Sequence, residues 1–228
     1  MMYNENQQHN ILKGYNMLLY FAGTMIIYEP SEECITDFWR NGIVKNLPIS
    51  SSNPNFVKAS NQLRDSCIDK NFCGKLLHED YIRLFAVKET SLAPPFESFY
   101  NRNGHITSNQ QPASVMEFYN SYGWKSKFNG KINDDHLAVE LLFLTRLIDK
   151  YMDLDDPACQ IEMRMEIRRF IDLHLLPWIS EWNSKVQLHS NTLCFKGIGT
   201  LILACVEDIY SLFDQNSSTI FSLENLKN

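Results

Sequence analysis

Apolar positions along this chain recur every three to four residues, and the strict alternation of a half-buried strand is nowhere sustained. From Ile11 to about Glu29, Leu12, Tyr15, Leu18, Leu19, Ala22 and Ile26 share one face and apolar residues continue nearly all round, which predicts a central helix. Pro30 ends it. Ser31 is placed to cap a second helix to about Asn41, with Glu32 and Glu33 in the first turn, where the helix dipole favours carboxylates, and Gly42 as its stop. Residues 43–55, with Pro48, three serines and Pro54, read as a linker, followed by a helical pair over Phe56 to about Lys70 and Lys75 to about Val87.

The stretch from Thr90 to Gln111 holds Pro94, Pro95, Gly104 and several Asn and Ser, and predicts a long loop of the kind that is often functional in a compact domain. The helical pattern resumes from about Pro112 to Tyr122 and breaks at Gly123 and Gly130. Asp134 or Asp135 supplies the cap for a helix to about Met152, with Leu137, Leu141, Leu144, Ile148 and Tyr151 on one face. Asp156 and Pro157 open another, because proline at the first helical position loses no hydrogen bond. That helix is expected to run to Leu176 and stop at Pro177, with Trp178 to Val186 and Asn191 to Phe213 as the last two. The fold class is therefore all-α: a single helical-bundle domain of about nine or ten helices over 11–213, with a hinge at 123–133. Flexible tails are expected at 1–10 and 214–228, where Asn, Gln and Ser predominate.

With 44% apolar residues in 228, the chain has enough material for a sizeable core, and disorder of the whole is excluded. A net charge of -6 argues against nucleic acid, whose phosphates need a clustered excess of Lys and Arg, and suits a basic peptide better. The apolar run Met17 to Tyr28 behind Lys13 resembles the middle of a signal peptide, but Glu29-Pro30-Ser31 follows instead of a small-residue cleavage site. That run and the one from Gly197 to Val206 are too short to span a bilayer. Six cysteines without a CxxC pair read as reduced thiols, and the expected location is the cytoplasm.

Candidate chemistry gathers in DYIRLF (Asp80 to Phe85), APPFESFY (Ala93 to Tyr100) and DDHLAVELLFL (Asp134 to Leu144), which set polar and aromatic groups at helix ends beside an apolar stripe. A peptide groove needs that combination. Asp135, His136 and Glu140 also suggest an acid-base or metal cluster, and so a metal-dependent helical hydrolase as the alternative function. Zinc would require at least three ligands, however, and neither HExxH nor a Cys/His pairing is present; a metal phosphohydrolase of the HD type needs His-Asp where this chain has Asp-His. A purely structural reading has Asp135 cap the helix, His136 bond a neighbouring loop and Glu140 hold one of the chain's own arginines. There is no Gly-rich phosphate loop with a lysine and no GxSxG, so no catalytic step, cofactor or metal is expected.

Five segments in order, LLHEDYIRLF (Leu76 to Phe85), APPFESFY, VMEFYNSYGW (Val115 to Trp124), DDHLAVELLFL and FIDLHLLPWISEW (Phe170 to Trp182), resemble the TorD/DmsD/NarJ family of redox enzyme maturation chaperones, and the TorD/DmsD branch above all. The likeness extends from about Tyr15 to about Phe213. It implies an all-helical fold, no enzymatic activity, and two partners: the twin-arginine leader and the catalytic subunit of a molybdenum oxidoreductase of the dimethyl sulfoxide or trimethylamine N-oxide reductase type. The chaperone would hold that enzyme back from export until its cofactor is inserted. The signal-peptide-binding determinants it implies are Tyr81, Leu84 and Phe85; Pro94, Pro95, Phe96, Glu97 and Ser98; and Asp135, His136 and Glu140. Phe96 stands where many members have tryptophan, and Asn133-Asp134 replaces an acidic residue and proline, which loosens the loop before the helix. A monomer is the default, with helix exchange between two copies suggested by domain-swapped members. Weak guanine-nucleotide binding is suggested for some members, and no motif in this chain bears on it.

Overall fold

The apolar face read from Leu12 to Ile26 forms the middle of helix α1 (Glu5–Ile27) in the computed structural model, which describes residues 5–31, 33, 47–66, 73–86, 90–100, 114–128 and 131–214. All six of its expected core residues are at most 4% exposed, and the helix starts well before Ile11, inside the segment read as a tail. Apart from Ser31 and Glu33, the expected second helix lies outside the described residues, as do residues 215–228 of the C-terminal tail and residues 129 and 130 of the expected hinge.

Helix α2 (Pro54–Arg64) begins one residue after Asn53, whose side chain accepts from the Asn55 amide at 2.8 Å. Pro54 thus belongs to the helix and not to the linker, at a position where its missing N–H goes unneeded. Helix α3 (Cys73–Tyr81) runs into a π-helical turn at Ile82–Ala86, which the periodicity did not distinguish from ordinary helix. A single turn, α4 (Glu97–Tyr100), lies within the segment read as a loop. Helix α5 (Val115–Ser121) is capped by Ser114, and Gly123 ends the turn after it with φ 60°, where a side chain would be strained.

Helices α6 (Leu137–Met152), α7 (Pro157–His174), α8 (Leu176–His189) and α9 (Leu193–Leu212) complete the bundle. Asp156 caps α7 as its sequence predicts, accepting from the Cys159 amide at 2.9 Å. Pro177 does not stop α7; that helix ends at His174, and the proline sits in the first turn of α8, where first-turn N–H groups lack partners in any case. Helix α9 is the axis of the molecule: Phe195, Ile198, Leu201, Ile202, Cys205, Val206 and Ile209 are fully buried against α1, α2, α7 and α8. Gly197 permits the closest approach, since a Cβ there would lie 2.7 Å from Leu63 Cγ on α2. On the other side α1 packs against α6, and α6 against α7.

The described residues form no named strand, and the fold is all-α as expected. Cys159, Cys194 and Cys205 are free thiols, while the side chains of Cys34, Cys67 and Cys73 lie outside the described residues. Among the described residues no helix is long and apolar enough to cross a membrane.

Candidate functional site

The π-helical turn hands the chain over to the segment that follows. The carbonyls of Arg83 and Leu84 accept from the amides of Leu92 and Ala93 at 3.0 and 3.2 Å, so residues 92–95 lie along the turn. Leu84 is fully buried; Phe85 is nearly so, edge-on to Phe195 at 5.3 Å and 6.3 Å from Trp182. Tyr81 is half-buried and donates its hydroxyl to the Ile27 carbonyl at 3.0 Å. Of these three expected site residues, Leu84 and Phe85 are core, and Tyr81 ties α3 to the end of α1.

Past the buried Pro94 and Pro95 the chain meets the loop before α6. Pro95 O accepts from Leu137 N and Asp135 O from Glu97 N, each at 2.9 Å, forming an isolated antiparallel bridge between Phe96 and His136. The rings of Phe96 and His136 stand edge-on with centroids 5.0 Å apart. The two motifs that the sequence separates by about forty residues are therefore one surface. Asp135 does not cap α6: its Oδ2 accepts from Ser98 N at 3.2 Å and steadies α4. The cap is His136, in extended backbone, whose Nδ1 accepts from Ala138 N at 3.1 Å. Phe96, Ser98 and Asp135 are half-buried on this surface, and Phe99 beside them is 41% exposed.

Beneath the bridge lies a polar interior. Glu97 points inward from α4, and both its carboxylate oxygens stand 3.3 Å from Nδ1 of His174, at the end of α7. Glu140, fully buried on α6, meets no arginine among the described residues, where its sequence suggested one. Burial first, then the charges of Glu97 and Asp135, push its pKa well above the carboxylate range. Tyr119 donates to the Asp134 carbonyl at 3.0 Å, and burial, then Glu140 and Asp134, raise its pKa in turn. Phe118 and Phe170 flank the His174 ring with centroids 5.8 and 5.5 Å away.

Tyr119 and His174 were missed as members of this cluster, although both stand within the motif segments. Their partners come from other helices, and no spacing along the chain reveals them.

The state of Glu140 is testable. Its folded pKa lies above the unfolded value near 4.5, so the stability it contributes is complete below that pH and declines as pH rises toward the folded pKa. Glu140→Gln, which keeps the shape and cannot ionise, is expected to melt with wild type near pH 4.5 and at or above it at pH 7. A lower melting temperature at pH 7 would mean that Glu140 acts as an anion.

Among the described residues no three of His, Cys, Asp and Glu come together as metal ligands. Asp135 accepts from Ser98 N and His136 Nδ1 from Ala138 N, so two of the three groups that suggested the hydrolase are already engaged in local hydrogen bonds.

The sequence model of one family, the nitrate reductase delta subunit, matches residues 53–184, well over half of the chain and inclusive of both sides of the bridge. The chain belongs to this family. Within it, the chain is similar to the chaperone protein TorD of Vibrio cholerae (classical Ogawa strain O395), with 25% identity over 177 residues that cover 77% of each protein. It is similar also to TorD of Vibrio parahaemolyticus, 26% identical over 72% of this chain and 74% of that one, and to TorD of a Psychrobacter species, 24% identical over 58% and 59%. The TorD branch read from the five motifs agrees with these relatives, which are named as chaperones and not as enzymes.

Proposed function

We propose that this protein is a cytoplasmic chaperone that binds the twin-arginine signal peptide of a molybdenum-containing oxidoreductase, of the dimethyl sulfoxide or trimethylamine N-oxide reductase type, and assists cofactor insertion before export. The observation that carries the reading is similarity to TorD chaperones over 77% of both chains. The geometry supports it in kind. A twin-arginine leader offers a cationic head and an apolar stretch, and the bridged surface sets half-buried Asp134 and Asp135 beside Phe96 and the exposed Phe99. Glu97 and Glu140, expected to face the leader's charge, lie inside and support that surface from below. The overall charge of -6 favours encounter with a cationic peptide. The working form is a monomer, which light scattering after size exclusion checks.

Calorimetric titration with synthetic twin-arginine leaders from molybdoenzymes of the same genome, each paired with a twin-lysine control, tests the reading. One leader is expected to saturate the protein, and its twin-lysine form to bind about tenfold more weakly, roughly 1.4 kcal/mol, because lysine lacks the planar fork that matches a carboxylate. Absence of binding to every leader would move the function to leader-independent assembly.

A further inference from the structure

We propose that His174 is a positioning residue for the surface around Phe96, acting through Glu97. Four residues make too short a helix to hold itself, because nucleating a single turn costs more conformational freedom than its hydrogen bonds return. Helix α4 must therefore be fixed from outside. Its outer fastening is already described: the amides of Glu97 and Ser98 donate to Asp135 O and Oδ2. Its inner fastening consists of the two side chains that it buries, Glu97 and Tyr100.

These two differ in kind. Tyr100 stacks on Trp178 at 5.2 Å with an interplanar angle of 24°, an apolar contact that tolerates sliding, and its buried hydroxyl meets no partner among the described residues. Glu97 to His174 is directional, one ring nitrogen shared between two carboxylate oxygens at 3.3 Å each. His174 is itself held in place. It occupies the last residue of α7, its carbonyl accepts from Trp178 Nε1 at 2.6 Å, and its ring lies against Phe118 and Phe170. The position of Glu97, which also hydrogen-bonds to Glu140 on α6, is thus referred in part to the end of α7, and with it the placement of Phe96 and Ser98 on either side. Both partners are buried, His174 at 2% and Glu97 at 8% exposure, so water is a poor substitute for the lost bond.

The proposal rests on the peptide-binding reading only for its consequence in leader affinity; the ordering of α4 is measured separately. Hydrogen exchange at the Glu97 and Ser98 amides, resolved by NMR and referred to Leu201 in α9, reads that order directly. His174→Asn keeps a donor close to the Nδ1 position and loses the ring; His174→Phe keeps a ring and loses the donor. His174→Phe is expected to speed exchange at both amides about tenfold relative to Leu201, and His174→Asn to stay within about threefold of wild type, the difference being one buried hydrogen bond to a charged group. Glu97→Met removes the acceptor together with the Glu140 contact and leaves His174 in place; it must loosen the Ser98 amide at least as much as His174→Phe does, and serves in its stead if that variant does not fold.

A role in packing alone predicts the opposite ranking, with Asn worse than Phe, and that result, or equal protection in both, overturns the proposal. Leader titration of the same variants is expected to follow the exchange ranking. If wild type binds no leader while the exchange ranking holds, the positioning role stands and the peptide-binding reading fails.

Discussion

Replacing Trp182 by alanine is expected to lower stability by about 4 kcal/mol, the cost of deleting a large aromatic side chain from a packed interior, and to lower the melting temperature by roughly 12 °C for a domain of this size. The indole is fully buried, 6.3 Å from the Phe85 ring, and its Nε1 donates to the Ala93 carbonyl at 3.2 Å. Alanine leaves both a void and a buried carbonyl without its donor, and that carbonyl begins the segment leading to the bridge. Trp182→Phe separates the two terms: most of the volume stays, only the hydrogen bond goes, and the loss should fall to about 1–2 kcal/mol. Urea unfolding of the three proteins checks the ranking. Equal losses in the two variants would show that the hydrogen bond, and not the packing, dominates.

The second large effect is expected at Asp80. Its carboxylate is 1% exposed and accepts from the Ser190 hydroxyl at 2.8 Å and from the amides of Asn191 and Thr192 at 2.9 and 2.7 Å, while Arg83 pairs with it and also reaches the His189 carbonyl. One side chain on α3 thus fixes the connection between α8 and α9. Asp80→Ala should cost about 3 kcal/mol, since it removes the ion-pair partner of a partly buried guanidinium and leaves several buried donors without their acceptor. Burial works to raise the carboxyl's pKa, but the hydrogen bonds from Asn191, Ser190 and Thr192 outweigh it and hold the value below the usual 3.8. A depressed folded pKa contributes stability above the unfolded value and loses it as pH falls through the folded one, so the wild-type advantage should shrink below about pH 4. Melting curves of wild type and variant between pH 3 and 7 provide the test; a gap that does not narrow in acid would separate Asp80 from the acid transition.

Asp80 also shows what a sequence conceals. It stands first in DYIRLF, yet Ser190, to which it is bonded, lies 110 residues on. The helices were legible because each depends on its own periodicity: Leu137, Leu141, Leu144, Ile148 and Tyr151 share the inner face of α6 as their spacing requires. Glu140 lies on that same face by spacing, and only its chemistry argued for a place at the surface. The sequence places the cap of α6 one or two residues early, at Asp134 or Asp135, because aspartate is the better capping residue by type. Ser98, 37 residues upstream, had already taken the Asp135 carboxylate, and the helix begins on histidine instead. Pro177 reads as the stop of α7 and Pro54 as part of a linker, whereas both stand in the first turn of a helix, for proline stops one helix and starts the next equally well. The neighbourhood of APPFESFY and DDHLAVELLFL was anticipated, but the join between them was not, because it is made by backbone groups that carry no sequence signature.

That join has a consequence for how such a surface diversifies. Pro95 O to Leu137 N and Asp135 O to Glu97 N are main-chain bonds, which every residue type supplies alike apart from proline's missing donor. The side chains of Phe96 and Ser98 project from this frame without being part of it, so exchanging them alters what the surface offers a ligand while its geometry persists. Tryptophan in place of Phe96 would therefore change the ring this surface presents while leaving both main-chain bonds of the bridge in place.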